Sequence, residues 1–442
     1  MEGPGQASED CDQYYDYECH LTRQDGRFRS GGGGSARTYD GVIAESPVRA
    51  RPFRPAVATL LFLKLVANIG FRFVYPFLPA IARGLGIDLT QAGALVSVRW
   101  AGALTTPAFM SFSGTRGRSR RLLVAGLALF SIGSIVTAWT GVYVGAMIGF
   151  ALVGLAKPMI DVSSQVYVSE RVAYGERARY LGILEIAWAG GLLIGAPLAG
   201  WLIENWSWRA PFWVVGSVGL LGIGLALLFL DRRDDSVPGV MAADSPGRQV
   251  VLVLVTVALF GFTHESLLVV LGGWLEGSFG LSLIALGGVG TLIGVSELAG
   301  EISMAAFTDR IGKRNSLALG LAVAAVALLV LSAVSEQLLA AMAVLVVVSV
   351  AIEFGIISAI PLTTELRPRA RARLLSLLIV ASGLGRIVGD LVAPRVFAAG
   401  GMQAVTLMAA IVALAALIVV LTGVREVTAG SGDQEDPAAI TS

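Results

Sequence analysis

Lys64, Arg72, Arg99, Lys157, Asp161, Glu185, Glu265, Glu297, Glu353, Arg386 and Asp390 each interrupt an apolar run long enough to cross a lipid bilayer. An ionised side chain at mid-bilayer costs on the order of 2.5–3.5 kcal/mol on insertion scales. Facing lipid, the set would together cost roughly tens of kcal/mol. These residues must therefore line a wet cavity or pair with one another. Lys64, Asn68 and Arg72 fall at i, i+4 and i+8, and so do Lys157, Asp161 and Gln165, and Ser382, Arg386 and Asp390. That spacing puts each set on one helical face. Such stripes can contact a polar solute, and the candidates for that contact are Lys64, Asn68, Arg72, Arg99, Asp161, Gln165, Glu185, Trp188 and Arg386.

Arg72 and Arg99 have no acid on their own helices, which suggests a solute with an anionic or polar portion. Glu265 and Glu353 have no cation at i±4, and His264 adjoins Glu265. Buried carboxyl and imidazole groups are the side chains that exchange protons in the neutral range. His264, Glu265, Glu353 and Asp390 are thus the candidates for carrying a coupling proton. Plainer roles stand beside these. Arg386 with Asp390, and Lys157 with Asp161, can neutralise one another as i,i+4 pairs. His264 can be a hydrogen-bonded helix residue, and Tyr75, Trp100 and Trp188 can pack rather than stack on a solute. Glu301 is placed to support a nearby loop, and Glu276 and Glu204 read as solvated loop residues.

The elements that must carry these groups are membrane helices. Of 442 residues, 55% are hydrophobic and only 15% charged, where soluble domains reach about 25% charged. The mean hydropathy is +0.74, and the 54 glycines suit helices packed backbone to backbone. Apolar runs at about 56–78, 90–112, 121–140, 144–168, 180–203 and 210–230 precede a polar linker at 231–249. Six more follow at about 250–271, 282–306, 315–333, 338–361, 373–397 and 402–422, each near the length that spans hydrocarbon. Residues 1–53 and 425–442 read as disordered tails. Cys11 and Cys19 both lie in the first tail, with spacing that makes a poor zinc site, so no metal and no cofactor are predicted.

The two sets of six runs are repeats. Gly86, Leu89 and Gly93 recur 194 residues later as Gly280, Leu283 and Gly287, and Gly191 and Gly195 recur as Gly385 and Gly389 at the same offset. Basic residues gather on one side, at Arg116, Arg118, Arg120, Arg121, Arg171, Arg177, Arg179, Arg310, Lys313, Arg314, Arg367, Arg369 and Arg371. By the positive-inside rule that side, with both termini, is cytoplasmic.

Phe307 to Asn315 reads FTDRIGKRN between two apolar runs, and Gly114 to Arg121 reads GTRGRSRR half a chain earlier. This D-R-x-G-K-R order resembles the signature loop of the major facilitator superfamily, over about residues 55–425. Gly191, Gly195, Pro197 and Gly200 are similar to the antiporter motif of drug-efflux members, with Ala196 inserted before the proline. Two positions depart from the family: Gly114 stands where it carries aspartate, and Phe150 where many proton-coupled members carry arginine.

The resemblance implies an all-α membrane protein, twelve transmembrane helices in two pseudo-symmetric six-helix halves spanning 54–230 and 250–424. Helices one, four, seven and ten would line the cavity. Asp309, with Arg310 and Arg314, would make and break contacts at a neighbouring helix end, and Gly312 and Arg118 complete the gating loops. The implied activity is secondary transport of a small organic solute by alternating access, first as proton-coupled efflux and second as uptake of an organic anion or sugar-like solute. A non-transporting receptor on the same fold is the alternative of a different class. No GxSxG, HExxH or phosphate loop points to an enzyme, and the arginines fit topology rather than nucleic acid. The expected partners are a solute, protons and the lipid bilayer, around a monomer in a plasma or inner membrane.

Overall fold

The computed structural model describes residues 53–113, 119–172, 174–231, 247–366 and 370–425. Both predicted tails except their innermost residues, most of the linker, and Gly114 and Arg118 of the first loop lie outside the described residues. Everything described is helix or short connection, with no strand among the described residues.

Twelve passes follow in order. α1 comprises Phe53–Arg72 and Val74–Leu85. α2 comprises Leu89–Ala101, a 3-10 turn at Gly102–Thr105, and Thr106–Ser113. α3 is Ser119–Thr140, α4 Tyr143–Ser169, α5 Tyr174–Leu193 with Gly195–Asn205, and α6 Ala210–Phe229. α7 is Arg248–Phe279, α8 Leu283–Ile311, α9 Lys313–Val334 and α10 Leu338–Leu366. α11 and α12 share the run Arg371–Gly423, whose helical geometry fails at Gly400 and at Gly401, with φ of 64°. Gln249 at the start of α7 donates to the Gly423 carbonyl, and Arg314 at the start of α9 donates to that of Val424. The end of α12 therefore returns to the face from which α11 starts.

Proline explains the breaks. Pro76 lacks the N–H that would bond the carbonyl of Arg72, and Pro197 lacks the one that would bond Leu193. α1 breaks at Phe73 and α5 at Ile194, each three residues before its proline. Past its break α1 runs on to Leu85, beyond the expected end at Leu78.

The repeat is visible in the turns. Gly86 and Gly280 end α1 and α7 with φ of 66° and 63°, a left-handed geometry in which glycine carries no steric penalty. The α8–α9 connection is the single residue Gly312, with φ of 90°. The two helices therefore meet in a tight hairpin.

On the face opposite this signature loop the two halves close on one another through small residues. A methyl group at Gly272 of α7 would lie 2.2 Å from the Pro76 carbonyl oxygen, and one at Gly93 of α2 would lie 2.4 Å from that of Asp390. The second piece of α5 packs likewise on α8, with Gly200 against Leu283.

Candidate functional site

Three polar clusters follow one another from the signature-loop face into the seam between the halves. In the first, Lys64 of α1 donates to Glu185 Oε1 of α5 at 2.6 Å and lies 4.0 Å from Asp161 Oδ1 of α4. Lys157 bonds Asp161 one turn away, and Gln165 donates to Glu185 at 3.3 Å. The Lys64 side chain is 3% exposed, whereas that of Glu185 is 51% exposed. The cluster is buried at Lys64 and half exposed at Glu185.

The second cluster crosses the seam. Arg72 of α1 grips Glu297 of α8 through two parallel hydrogen bonds, 2.6 Å and 2.5 Å, with both side chains 1% exposed. Planar guanidinium and carboxylate match in this fork, the strongest ion-pair geometry available to side chains. Arg72 also donates to the Trp188 carbonyl at 3.0 Å and sits 4.3 Å over that residue's ring. His264 Nε2 stands 3.8 Å from Glu297, and its buried Nδ1 has no hydrogen-bond partner.

The third cluster centres on Glu265 of α7. Arg386 of α11 donates to its Oε2 at 2.8 Å, Trp100 of α2 to its Oε1 at 2.7 Å, and the Tyr75 hydroxyl of α1 to the same Oε1. Arg386 lies 4.6 Å over the Trp100 ring. Beside this network Arg99 donates to the Phe71 carbonyl and is enclosed by the rings of Phe71, Tyr75 and Phe150, at 4.2, 4.8 and 5.8 Å. Phe150, at the position where the resemblance implies arginine, is thus one wall of an aromatic cage around an arginine of another helix.

Several expectations change. Arg386 does not neutralise Asp390 one turn on; it reaches across to Glu265, and both Asp390 carboxylate oxygens are buried without a hydrogen-bond donor. Glu265 is a lone acid only along its own helix, since three donors from three other helices converge on it. The Tyr75, Trp100 and Trp188 rings are engaged by the protein's own cations and carboxylates. Arg72 is saturated by Glu297 rather than free for an anionic solute. Glu276, read as a solvated loop residue, pairs with Arg83 across the two halves at 2.8 Å. The Lys157–Asp161 pair does form.

Asn68 is fully buried with neither amide atom partnered, and Glu353 is buried with no hydrogen bond or ion pair among the described residues. In the signature loop, Arg314 caps α12 through the carbonyls of Val424 and Leu421 at 2.7 and 2.9 Å, and Lys313 pairs with Glu365 of α10. Asp309 and Arg310 are exposed. The sequence marks Glu297 as an intramembrane charge and Tyr75 and Trp100 as rings that pack or stack, but names no partner for any of them. Their partners lie 225, 190 and 165 positions away, so no local spacing announces them.

The family model described as Major Facilitator Superfamily matches residues 60–252 and again 251–440. The chain belongs to that superfamily, and the double match fits the internal repeat. An uncharacterized MFS-type transporter of Mycobacterium tuberculosis is 31% identical over 169 residues, 38% of this chain and 24% of that protein. The MFS-type transporter sphD of Aspergillus fumigatus is 30% identical over 203 residues, 46% of this chain and 34% of that protein. An MFS-type efflux pump of Pseudozyma antarctica is 27% identical, over 40% of this chain and 32% of that protein. The matched segments thus span a quarter to a third of these relatives. The fold is similar to that of a bacterial homolog of the human lysosomal transporter Spinster, crystallised in an inward-facing and occupied conformation. Its TM-score is 0.69 at 15% identity, over 84% of this chain and 97% of that one.

Proposed function

We propose that the chain is a secondary transporter that moves a small organic solute by alternating access, in proton-coupled efflux. The observation that carries this reading is the Arg72–Glu297 pair with the Tyr75 and Trp100 bonds to Glu265. Opposite charges and polar groups on opposite halves are bonded, deep in the membrane, across the seam that must part for the other face to open. The half-exposed Glu185 beside buried Lys64 supports a solute path entered from the signature-loop side. The clustered arginines support a cytoplasmic assignment for that side. In the matched relative with an efflux pump's name, export is the named role.

The balance of charge guides the choice of solute. Asp161, Glu185, Glu265, Glu297, Glu301, Glu353 and Asp390 outnumber Lys64, Arg72, Arg99, Lys157 and Arg386, and the cations other than Arg99 are already bonded to carboxylates. An acidic excess favours a lipophilic cation and a proton as competing occupants over an organic anion.

The test is transport in proteoliposomes under an imposed pH gradient, with a pH-sensitive dye inside and cationic dyes, antibiotics, organic acids and sugars added in turn. Proton movement that depends on a cationic solute is the expected result. Solute flux without proton movement would remove the coupling from this reading, and saturable binding without flux would replace transport by reception.

A further inference from the structure

Glu265 and Asp390 are two buried carboxyl groups of opposite circumstances. Both are 0% exposed. Glu265 receives hydrogen bonds from Arg386, Trp100 and Tyr75, an environment built for an ionised carboxylate. Asp390 receives none at either oxygen. α11 lies on α7 so closely that a methyl group at Gly389 would sit 3.2 Å from the Glu265 Cβ, which sets Asp390, the next residue, beside Glu265. The titratable or charged groups that face Asp390 among the described residues are Tyr75 of α1, Arg99 of α2, Glu265 of α7 and Arg386 on its own helix. None of the donors among them is bonded to it.

Two adjacent carboxylates cannot both stay ionised in a site that excludes water, and the one without donors is the one that takes the proton. We infer that Asp390 is a neutral carboxylic acid in this conformation and donates its O–H to ionised Glu265, making it a proton-binding residue of the chain. Asp390, which accepts nothing, then becomes a donor, and one of its two orphaned oxygens gains a partner. Its role in transport rests on the proton-coupled reading above.

Release follows simply. When the Asp390 O–H bond breaks, the proton leaves to the open aqueous side and a second negative charge appears beside Glu265. Arg386 sits one turn from Asp390 on the same helix, and Arg99 has its Nε and Nη2 unpartnered. Either guanidinium then has a carboxylate to move to, and the tie of Glu265 to the first half loosens. The coupling is electrostatic and local.

The test is infrared spectroscopy of the full chain in nanodiscs at neutral pH, without solute and without a gradient. The wild-type minus Asp390→Asn difference spectrum is expected to show a carboxylic-acid C=O band that shifts in D2O. The same band is expected to vanish in Glu265→Gln, which removes the negative charge that holds the proton. If Asp390→Asn fails to fold, wild type carrying 13C-carboxyl aspartate is read instead, and the band must shift with the label. A difference spectrum with carboxylate bands alone, or a band that ignores the aspartate label, would overturn the assignment. A band present in a protein that moves no protons with any solute would defeat the proposed coupling and leave this assignment standing.

Discussion

Gly191 and Gly195 of α5 lie against Asn68 and Ile69 of α1, and Gly385 and Gly389 of α11 lie against Ala258 and Phe262 of α7. The same small-residue seam thus joins the first and fifth helices of each half, in the register of the 194-residue repeat. The charges on that shared scaffold do not repeat. The first half brings Lys64, Arg72, Arg99 and Lys157 against Asp161 and Glu185, and the second brings Arg386 alone, with His264, against Glu265, Glu297, Glu301, Glu353 and Asp390. Duplication supplied two like bundles; divergence made one basic and the other acidic. Their attraction is realised in the seam, where the basic half's Arg72 finds the acidic half's Glu297.

The sharpest way to break this complementarity is Arg72→Ala. It leaves Glu297 buried and unpaired, a change that costs about 3–5 kcal/mol in comparable pairs. A large fall in melting temperature is expected, and pairing it with Glu297→Ala should recover much of the loss. Double-mutant melting in detergent reads the coupling. Equal, additive losses in the two single variants and their combination would show that the pair does not bind the halves together.

The scaffold side of the comparison is tested by Gly385→Ala against Gly191→Ala. The new methyl would fall 1.8 Å from the Ala258 carbonyl oxygen in the second half, but 3.0 Å from its nearest neighbour, Asn68, in the first. Overpacking costs roughly 1–3 kcal/mol and more where backbone must move. Gly385→Ala should therefore reduce the yield of folded protein far more than its repeat-mate does. Equal tolerance at both positions would mean the seams are not packed as described.

A third contrast lies within the first half. Lys64→Met removes a buried cation, yet Glu185 is half open to water and Asp161 keeps Lys157. The expected loss is about 1 kcal/mol or less, well below that of Arg72→Ala, with the solute dependence of transport changed more than the melting temperature. A loss as large as that of Arg72→Ala would place Lys64 in the structural seam rather than on the solute path.

Stripes were legible because they are local. Lys64, Asn68 and Arg72 share a face by spacing alone, whereas the breaks at Phe73 and Ile194 fall inside the runs 56–78 and 180–203, which hydropathy reads as unbroken. Pairings across the seam were not legible either, since Arg72 and Glu297 are joined by folding of the whole chain and nothing near either residue names the other. Arg386 shows the trap in local rules. Its i+4 acid is present, but the fold offers a better acceptor in Glu265. Helix ends were misjudged for another reason. Hydropathy reports the membrane-embedded part, while α7 runs on past Leu271 to Phe279 through residues that favour helix without being apolar throughout.

The smallest expected effect concerns Arg83 and Glu276, which pair across the two halves at the face opposite the signature loop. The bond has the same sense as Arg72–Glu297, basic half to acidic half, but the Arg83 side chain is 60% exposed. In high dielectric such a pair contributes about 0.2–1 kcal/mol and is weakened by salt. Arg83→Ala should leave the melting temperature almost unchanged. It should still raise the labelling rate of a cysteine placed near Gly86, modestly at low salt and hardly at all at high salt, because closure of that face loses one of its ties. A labelling rate that rises equally at both salt concentrations would mean that Arg83 acts by packing. An unchanged rate at low salt would confine the complementarity of the halves to their buried pairs.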